Sequence, residues 1–183
     1  MSKISPFLDD LDRLKLFYGS ICDNEIKLVK DIIAKLLDKK PIFKQPIDGY
    51  HHLLDFSDFK NNDCQFLLFK EVCQKLNGNL YWFVFGDENN PELFDEFELP
   101  MIAKTDCNFD ILEKVSSSFM QMQNGAFVVF DEHKEFYAII VDGYYMVCLL
   151  NKSIAIDNLQ NYLDNWHKID KNLDEVTANL LMS

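Results

Sequence analysis

Apolar residues along this chain alternate between a helical and a strand-like spacing, and the changes of period mark out its elements. Ser5-Pro6 followed by Asp9 and Asp10 predicts a helix start: a capping serine, proline at the first helical position, and acids at the positive end of the dipole. That helix should run to about Tyr18. Asp23 then precedes Ile26, Val29, Ile33, Leu36 and Leu37, an i, i+3, i+7 stripe with lysines between and Pro41 just past its end, which predicts a second helix. Pro46, Asp48-Gly49 and His51-His52 predict a loop over Pro41 to Phe56 that leads into a short strand at Leu53 to Phe56. Phe59, Phe66, Phe69, Cys73 and Leu76 return to helical spacing, and Asn77-Gly78 ends that run as a left-handed cap would.

The second half reads mainly as strands. Leu80-Tyr81-Trp82-Phe83-Val84-Phe85 is a continuous aromatic and β-branched run between Gly78 and Gly86, the pattern of an inner strand covered on both faces. Leu99 to Lys104 predicts a short strand, and Asn108 to Phe119 a helix with Phe109, Leu112, Val115 and Phe119 on one side. Ala126 to Phe130, Phe136 to Val141 and Tyr144 to Leu150 predict three further strands, the last two joined by a two-residue Asp142-Gly143 loop. From Ser153 the period is helical again, with Ile156, Leu159, Leu163 and Trp166 on one face, followed by a short helix around Leu173 to Leu181. Strands joined by tight turns, with helices gathered before and after, predict an α+β fold: a mainly antiparallel sheet of about four to six strands flanked by N-terminal and C-terminal helices.

Composition narrows this picture. A chain of 183 residues that is 48% hydrophobic and 14% aromatic has the size of one domain and enough apolar content for a core without disulfide or metal staples, so residues 1–183 are expected to form a single α+β domain. The first residues mix Asp9, Asp10, Asp12, Arg13 and Lys15 among apolar positions and predict no signal peptide. No stretch approaches the ~18 uninterrupted apolar residues of a membrane-spanning helix. Cys22, Cys64, Cys73, Cys107 and Cys148 are odd in number and irregularly spaced, with no C-x-x-C pair. That usage predicts a reduced, cytoplasmic setting in which roughly four in five of the cysteines act as small buried hydrophobes.

Charge adds the first functional information. The formal net charge is -12, from 18 basic and 30 acidic residues. Residues 1–60 hold 10 of those acids and 10 of those bases, so the whole excess, 20 acids against 8 lysines, lies in residues 61–183. A partner drawn there is expected to be cationic. Arg13 is the only arginine, which argues against direct nucleic-acid binding because the bidentate forks that grip phosphates are nearly absent.

The chemistry-bearing motifs are mostly missing. With 6 glycines there is no G-x-G-x-x-G and no P-loop, and no G-x-S-x-G elbow occurs. Ser116-Ser117-Ser118 falls within a predicted helix and reads as exposed polar filler. His51, His52 and Asp55 form a compact His-His-x-x-Asp group, but adjacent side chains diverge in helix and strand alike, and no further spaced ligand stands nearby. His133 falls in a predicted turn, and His167 at a predicted helix end facing the negative end of the dipole. No catalytic residue, cofactor site or metal site is therefore expected.

The strongest local feature is Asp87 to Glu98, in which Asp87, Glu88, Glu92, Asp95, Glu96 and Glu98 occur without a single base and Leu93, Phe94 and Phe97 intervene. Pro91 and Glu92 occupy positions where a calcium-binding loop needs a ligand and its glycine, so this is not an EF-hand. Carboxylates ringing Phe94 and Phe97 suit an anchoring contact surrounded by charge, and the six acids with these two phenylalanines are the candidate partner-binding set.

The aromatic strand ending Tyr81-Trp82-Phe83-Val84-Phe85-Gly86-Asp87-Glu88, the later hairpin over Phe127 to Leu150 and the amphipathic Ile154 to Trp166 stretch resemble the general plan of bacterial toxin-immunity proteins. A strand running into an acidic Gly-Asp turn is similar to that of the SMI1/KNR4-like immunity group. The resemblance implies a non-enzymatic role, binding and neutralising one cognate toxin domain, and it agrees with the acidic balance because nuclease toxins are typically basic. Two other readings stay open: a small intracellular enzyme with an unrecognised Cys/His site, and an adaptor or regulatory subunit.

Overall fold

A computed structural model describes residues 19–37, 48–55, 63–85, 102–120, 126–141, 145–156 and 166–168. Three helices, α1 (Asp23–Leu36), α2 (Asp63–Lys75) and α3 (Phe109–Met120), accompany seven strands among the described residues. The strands are β1 (Tyr50–Asp55), β2 (Asn79–Phe85), β3 (Ile102–Asp106), β4 (Ala126–Asp131), β5 (Phe136–Val141), β6 (Tyr145–Asn151) and β7 (Trp166–Lys168). They form one sheet in the order β3-β2-β4-β5-β6-β1-β7, and every neighbouring pair is antiparallel. The α+β class with an antiparallel sheet therefore holds, with the three-residue β7 carrying the strand count past the expected range.

Alternation along each strand divides the apolar residues between the two faces of the sheet. On one face Leu80, Trp82, Val84, Phe127, Val129, Phe136, Ala138, Ile140, Cys148 and Leu150 pack with Leu68, Phe69, Val72 and Leu76 of the α2 region and with Leu112 and Val115 of α3. On the other, Tyr81, Val128, Phe130, Tyr137, Ile139, Val147 and Leu149 pack against Val29, Ile32 and Ile33 of α1 and Leu37 beyond its end. Helices on both faces explain why β2 and β5 are apolar at consecutive positions instead of alternating with polar residues. Trp82, fully buried, donates its indole N–H to Thr105 Oγ1 at 2.9 Å, which satisfies the one polar atom this ring brings into the core.

Turn chemistry sets the ends of the elements. Gly49 at φ 88° and Gly78 at φ 95° occupy the left-handed region just before β1 and β2. The β4–β5 turn is closed by Asp131, which is fully buried and accepts the backbone N–H groups of Phe136 at 2.7 Å and His133 at 2.9 Å. Desolvation pushes the Asp131 carboxyl above its usual range, while these donated bonds favour its ionised form. Glu25 at the start of α1 accepts the Cys22 N–H at 2.9 Å, the Tyr81 hydroxyl at 2.9 Å and the Lys104 ammonium at 2.7 Å, tying the helix to β2 and β3.

Several expectations are corrected. Trp166 and His167 lie in β7, where Leu54 pairs with His167, and not on a helix; the stripe that suggested the helix continues through residues 157–165, outside the described residues. The strand expected from Leu53 begins at Tyr50, immediately after the Gly49 turn. Val141 pairs with Tyr145, so three residues separate β5 from β6 and not the two of an Asp-Gly loop. Ser116 is fully buried, because it follows Leu112 by four residues and so shares the face of α3 that meets the sheet. Cys22 is exposed at the N-cap of α1 in place of being a buried hydrophobe. The helices expected at 5–18 and 173–181 lie outside the described residues.

Candidate functional site

The candidate partner-binding residues, Asp87, Glu88, Glu92, Phe94, Asp95, Glu96, Phe97 and Glu98, all lie outside the described residues. Their flanks are described. The segment leaves β2 after Phe85 and rejoins the sheet at Ile102, and Phe83 pairs with Ile102, so it spans two adjacent antiparallel strands. β3 is the edge strand of this pair, with the Gly19 N–H donating to Lys104 O at 2.7 Å along its outer side. An acidic segment is thus carried by a paired hairpin at one border of the sheet.

His51, His52 and Asp55 do not converge. They fall on β1, where His52 pairs with Leu149 on the α1 face while His51 pairs with Leu150 on the α2 and α3 face. Asp55 stands four residues on from His51, roughly 13 Å away at the rise of a strand. Among the described residues no group of three or more His, Cys, Asp or Glu is arranged to hold a metal ion. Likewise no described helix is long and apolar enough to cross a membrane.

The structure assembles a different group at the opposite end of β2. Asn79 pairs with Asp106, so the register brings Cys107, one residue past β3, beside the turn that leads out of α2, where its N–H donates to Gly78 O at 2.9 Å. Glu132 of the β4–β5 turn closes on the same place, accepting Asn79 Nδ2 at 2.6 Å and Asn79 N at 3.2 Å while its own N–H donates to Asn79 O at 2.9 Å. His133 Nε2 lies 3.5 Å from Glu132 Oε1.

Cys73 lies on the last turn of α2, and its thiol is within hydrogen-bonding reach of the Cys107 thiol. Cys73 is buried and Cys107 only half-buried, and both sulfurs are free thiols. Contact with the Cys73 thiol eases ionisation of Cys107 below the ordinary thiol range, against its own partial burial and the negative charges of Asp131 and Glu132. The same contact, together with burial, holds Cys73 protonated. Cys107 also immediately precedes Asn108, whose Oδ1 accepts the Asp110 N–H at 2.8 Å and caps α3. Chemically the pair is a half-buried nucleophile with a buried thiol in contact. Read singly, both cysteines look like core hydrophobes; they stand 34 positions apart, and only the β2–β3 register joins them.

Compared with known proteins, the chain matches no family model, no curated protein and no solved structure.

Proposed function

We propose that this chain is a non-enzymatic, cytoplasmic binding domain, an immunity protein that binds and neutralises a cognate bacterial toxin domain. The observation that carries the reading is the run of six carboxylates without a base over Asp87 to Glu98, borne between two paired strands at the edge of the sheet. Like charges packed so densely along the chain repel one another unless they are well solvated or meet positive charge, and a basic partner relieves that repulsion. Phe94 and Phe97, set among the carboxylates in the sequence, are the apolar anchors of the proposed contact. A paired hairpin beneath the segment limits the ordering cost of binding, since its two ends are held before the partner arrives.

The test looks beside the chain's own gene for a reading frame with a toxin domain, takes its absence as evidence against the proposal, and mixes any such domain with the chain. A stoichiometric complex that abolishes toxin activity is expected, with association that quickens as ionic strength falls. Changing Asp87, Glu88, Glu92, Asp95, Glu96 and Glu98 to lysine should slow association by at least about tenfold at low salt and flatten its salt dependence, whereas truncating Phe94 or Phe97 should chiefly speed dissociation. A folded charge-reversed protein that associates at the wild-type rate with wild-type salt dependence sinks the proposal.

A further inference from the structure

We propose that Cys73 and Cys107 form a reversible oxidation site, in which Cys107 reacts with hydrogen peroxide and Cys73 resolves the product into an intramolecular disulfide. This goes beyond the binding role and rests on separate observations: two free thiols within reach of each other, one half-buried and the other buried, and a backbone bond from Cys107 to Gly78 that ties β3 to the turn after α2.

Each residue has one role for which the geometry suits it. Cys107 is half-buried while Cys73 is buried, so Cys107 is the sulfur a peroxide can reach and is the nucleophile. Its sulfur attacks one oxygen of the peroxide, an S–O bond forms as the O–O bond breaks, and the departing hydroxide takes up a proton as water. Cys107 is then a sulfenic acid. The Cys73 sulfur, already in contact, attacks the Cys107 sulfur; the S–S bond forms, the S–O bond breaks, and the Cys73 proton leaves with the hydroxide as a second water. Two thiols are oxidised and one peroxide is reduced to two waters. Burial keeps Cys73 a thiol until that moment, because only a neighbouring sulfur reaches it. The remaining described cysteines lack this arrangement: Cys22 is exposed at the start of α1, and Cys148 is fully buried in β6, where desolvation alone pushes its thiol upward.

The test titrates the reduced full-length chain with hydrogen peroxide, blocks remaining thiols by alkylation and maps peptides without reduction. Trypsin separates Glu71–Lys75 from Thr105–Lys114, each with a single cysteine, so a link between them is unambiguous. Expected results are a 71–75 to 105–114 linked peptide as the main oxidised product, loss of two of the five free thiols, and full recovery with dithiothreitol. Cys73→Ala should leave Cys107 as a sulfenic acid that a dimedone-type probe traps, and Cys107→Ala should make Cys73 unreactive to the same peroxide dose. Wild-type protein whose Cys107 proceeds to sulfinic acid without the linked peptide, or whose first disulfide joins a different pair, overturns the proposal. Because the mapping is done on wild-type protein, an unstable variant does not blunt it.

Discussion

Gly78→Ala is the sharpest single perturbation of the junction between α2, β2 and the β4–β5 turn. Gly78 sits at φ 95°, and a Cβ placed there meets Glu132 Oε1 at 2.5 Å and Cδ at 2.6 Å. Alanine in the left-handed region costs roughly 1–2 kcal/mol, of which its smaller unfolded-state entropy offsets about 0.5, leaving about 1 kcal/mol. The clash adds a second cost. A carboxylate at the end of a flexible side chain moves easily, but this one holds Asn79 through Nδ2 at 2.6 Å and N at 3.2 Å. Hydrogen bonds to a charged group contribute about 1.5–3 kcal/mol, and the low end applies here because the site is only partly buried. Gly78→Ala should therefore cost about 2.5 kcal/mol and Glu132→Ala about 1.5 kcal/mol. If the clash acts through Glu132, Gly78→Ala introduced together with Glu132→Ala adds only the backbone strain, about 1 kcal/mol, a coupling of about 1.5 kcal/mol between the two sites. Urea unfolding followed by tryptophan fluorescence reads this directly: at a slope of about 2 kcal/mol per molar the Gly78→Ala midpoint falls by about 1.2 M. Strict additivity of the two substitutions refutes the clash, and a neutral Gly78→Ala refutes the left-handed backbone as well.

Two further predictions concern stability. The Lys104 ammonium, followed by the Cys22 N–H and the Tyr81 hydroxyl, holds the Glu25 carboxyl down at about 2 against an ordinary value of 4.5. A depressed acid contributes stability that is complete above 4.5 and lost as pH falls through about 2, so the difference in Tm between wild type and Glu25→Gln should shrink across that window; a difference that stays constant from about pH 5 to about pH 2 removes this role for Glu25. Ser116 Oγ is buried in α3 without a hydrogen-bond partner among the described residues, so Ser116→Ala should raise stability by about 1 kcal/mol, read as a higher urea midpoint, and a destabilised variant would show that the hydroxyl is satisfied after all.

Much of the fold was legible because its signals are local. The Val29 and Ile33 stripe of α1, the apolar run of β2 and the boundaries of β5 each follow from spacing within a few residues, and the structure places them as expected. Ser116 is misread as exposed from the sequence: the serine triplet suggests surface, whereas Ser116 stands one turn from Leu112 and is fully buried. Trp166 and His167 were not legible either, since a three-residue edge strand is too short to show a period of two. The β5–β6 loop shows the limit of turn signals: Asp142-Gly143 marks the hairpin, but the register that pairs Val141 with Tyr145 depends on which residues reach each face of the sheet.

The same distinction separates the two functional features. The acidic segment is a property of consecutive residues and was visible at once, whereas the Cys73–Cys107 contact exists only because Asn79 pairs with Asp106. A slip of one residue in that pairing would turn every side chain of β3 to the other face and move Cys107 off the end of α2. The register also keeps the two features apart. The acidic segment springs from the Phe85 end of β2 and the thiols from the Asn79 end, roughly 20 Å away at the rise of a strand. That distance, from the segment's point of attachment to the thiols, is more than twice the ~8 Å Debye length at physiological salt, and a disulfide at the far end of β2 adds no charge to the segment. Association kinetics and peroxide reactivity therefore respond to separate sets of substitutions. A charge-reversed protein that still forms the Cys73–Cys107 link, and an oxidised protein that still associates at the wild-type rate, are the outcomes this separation requires.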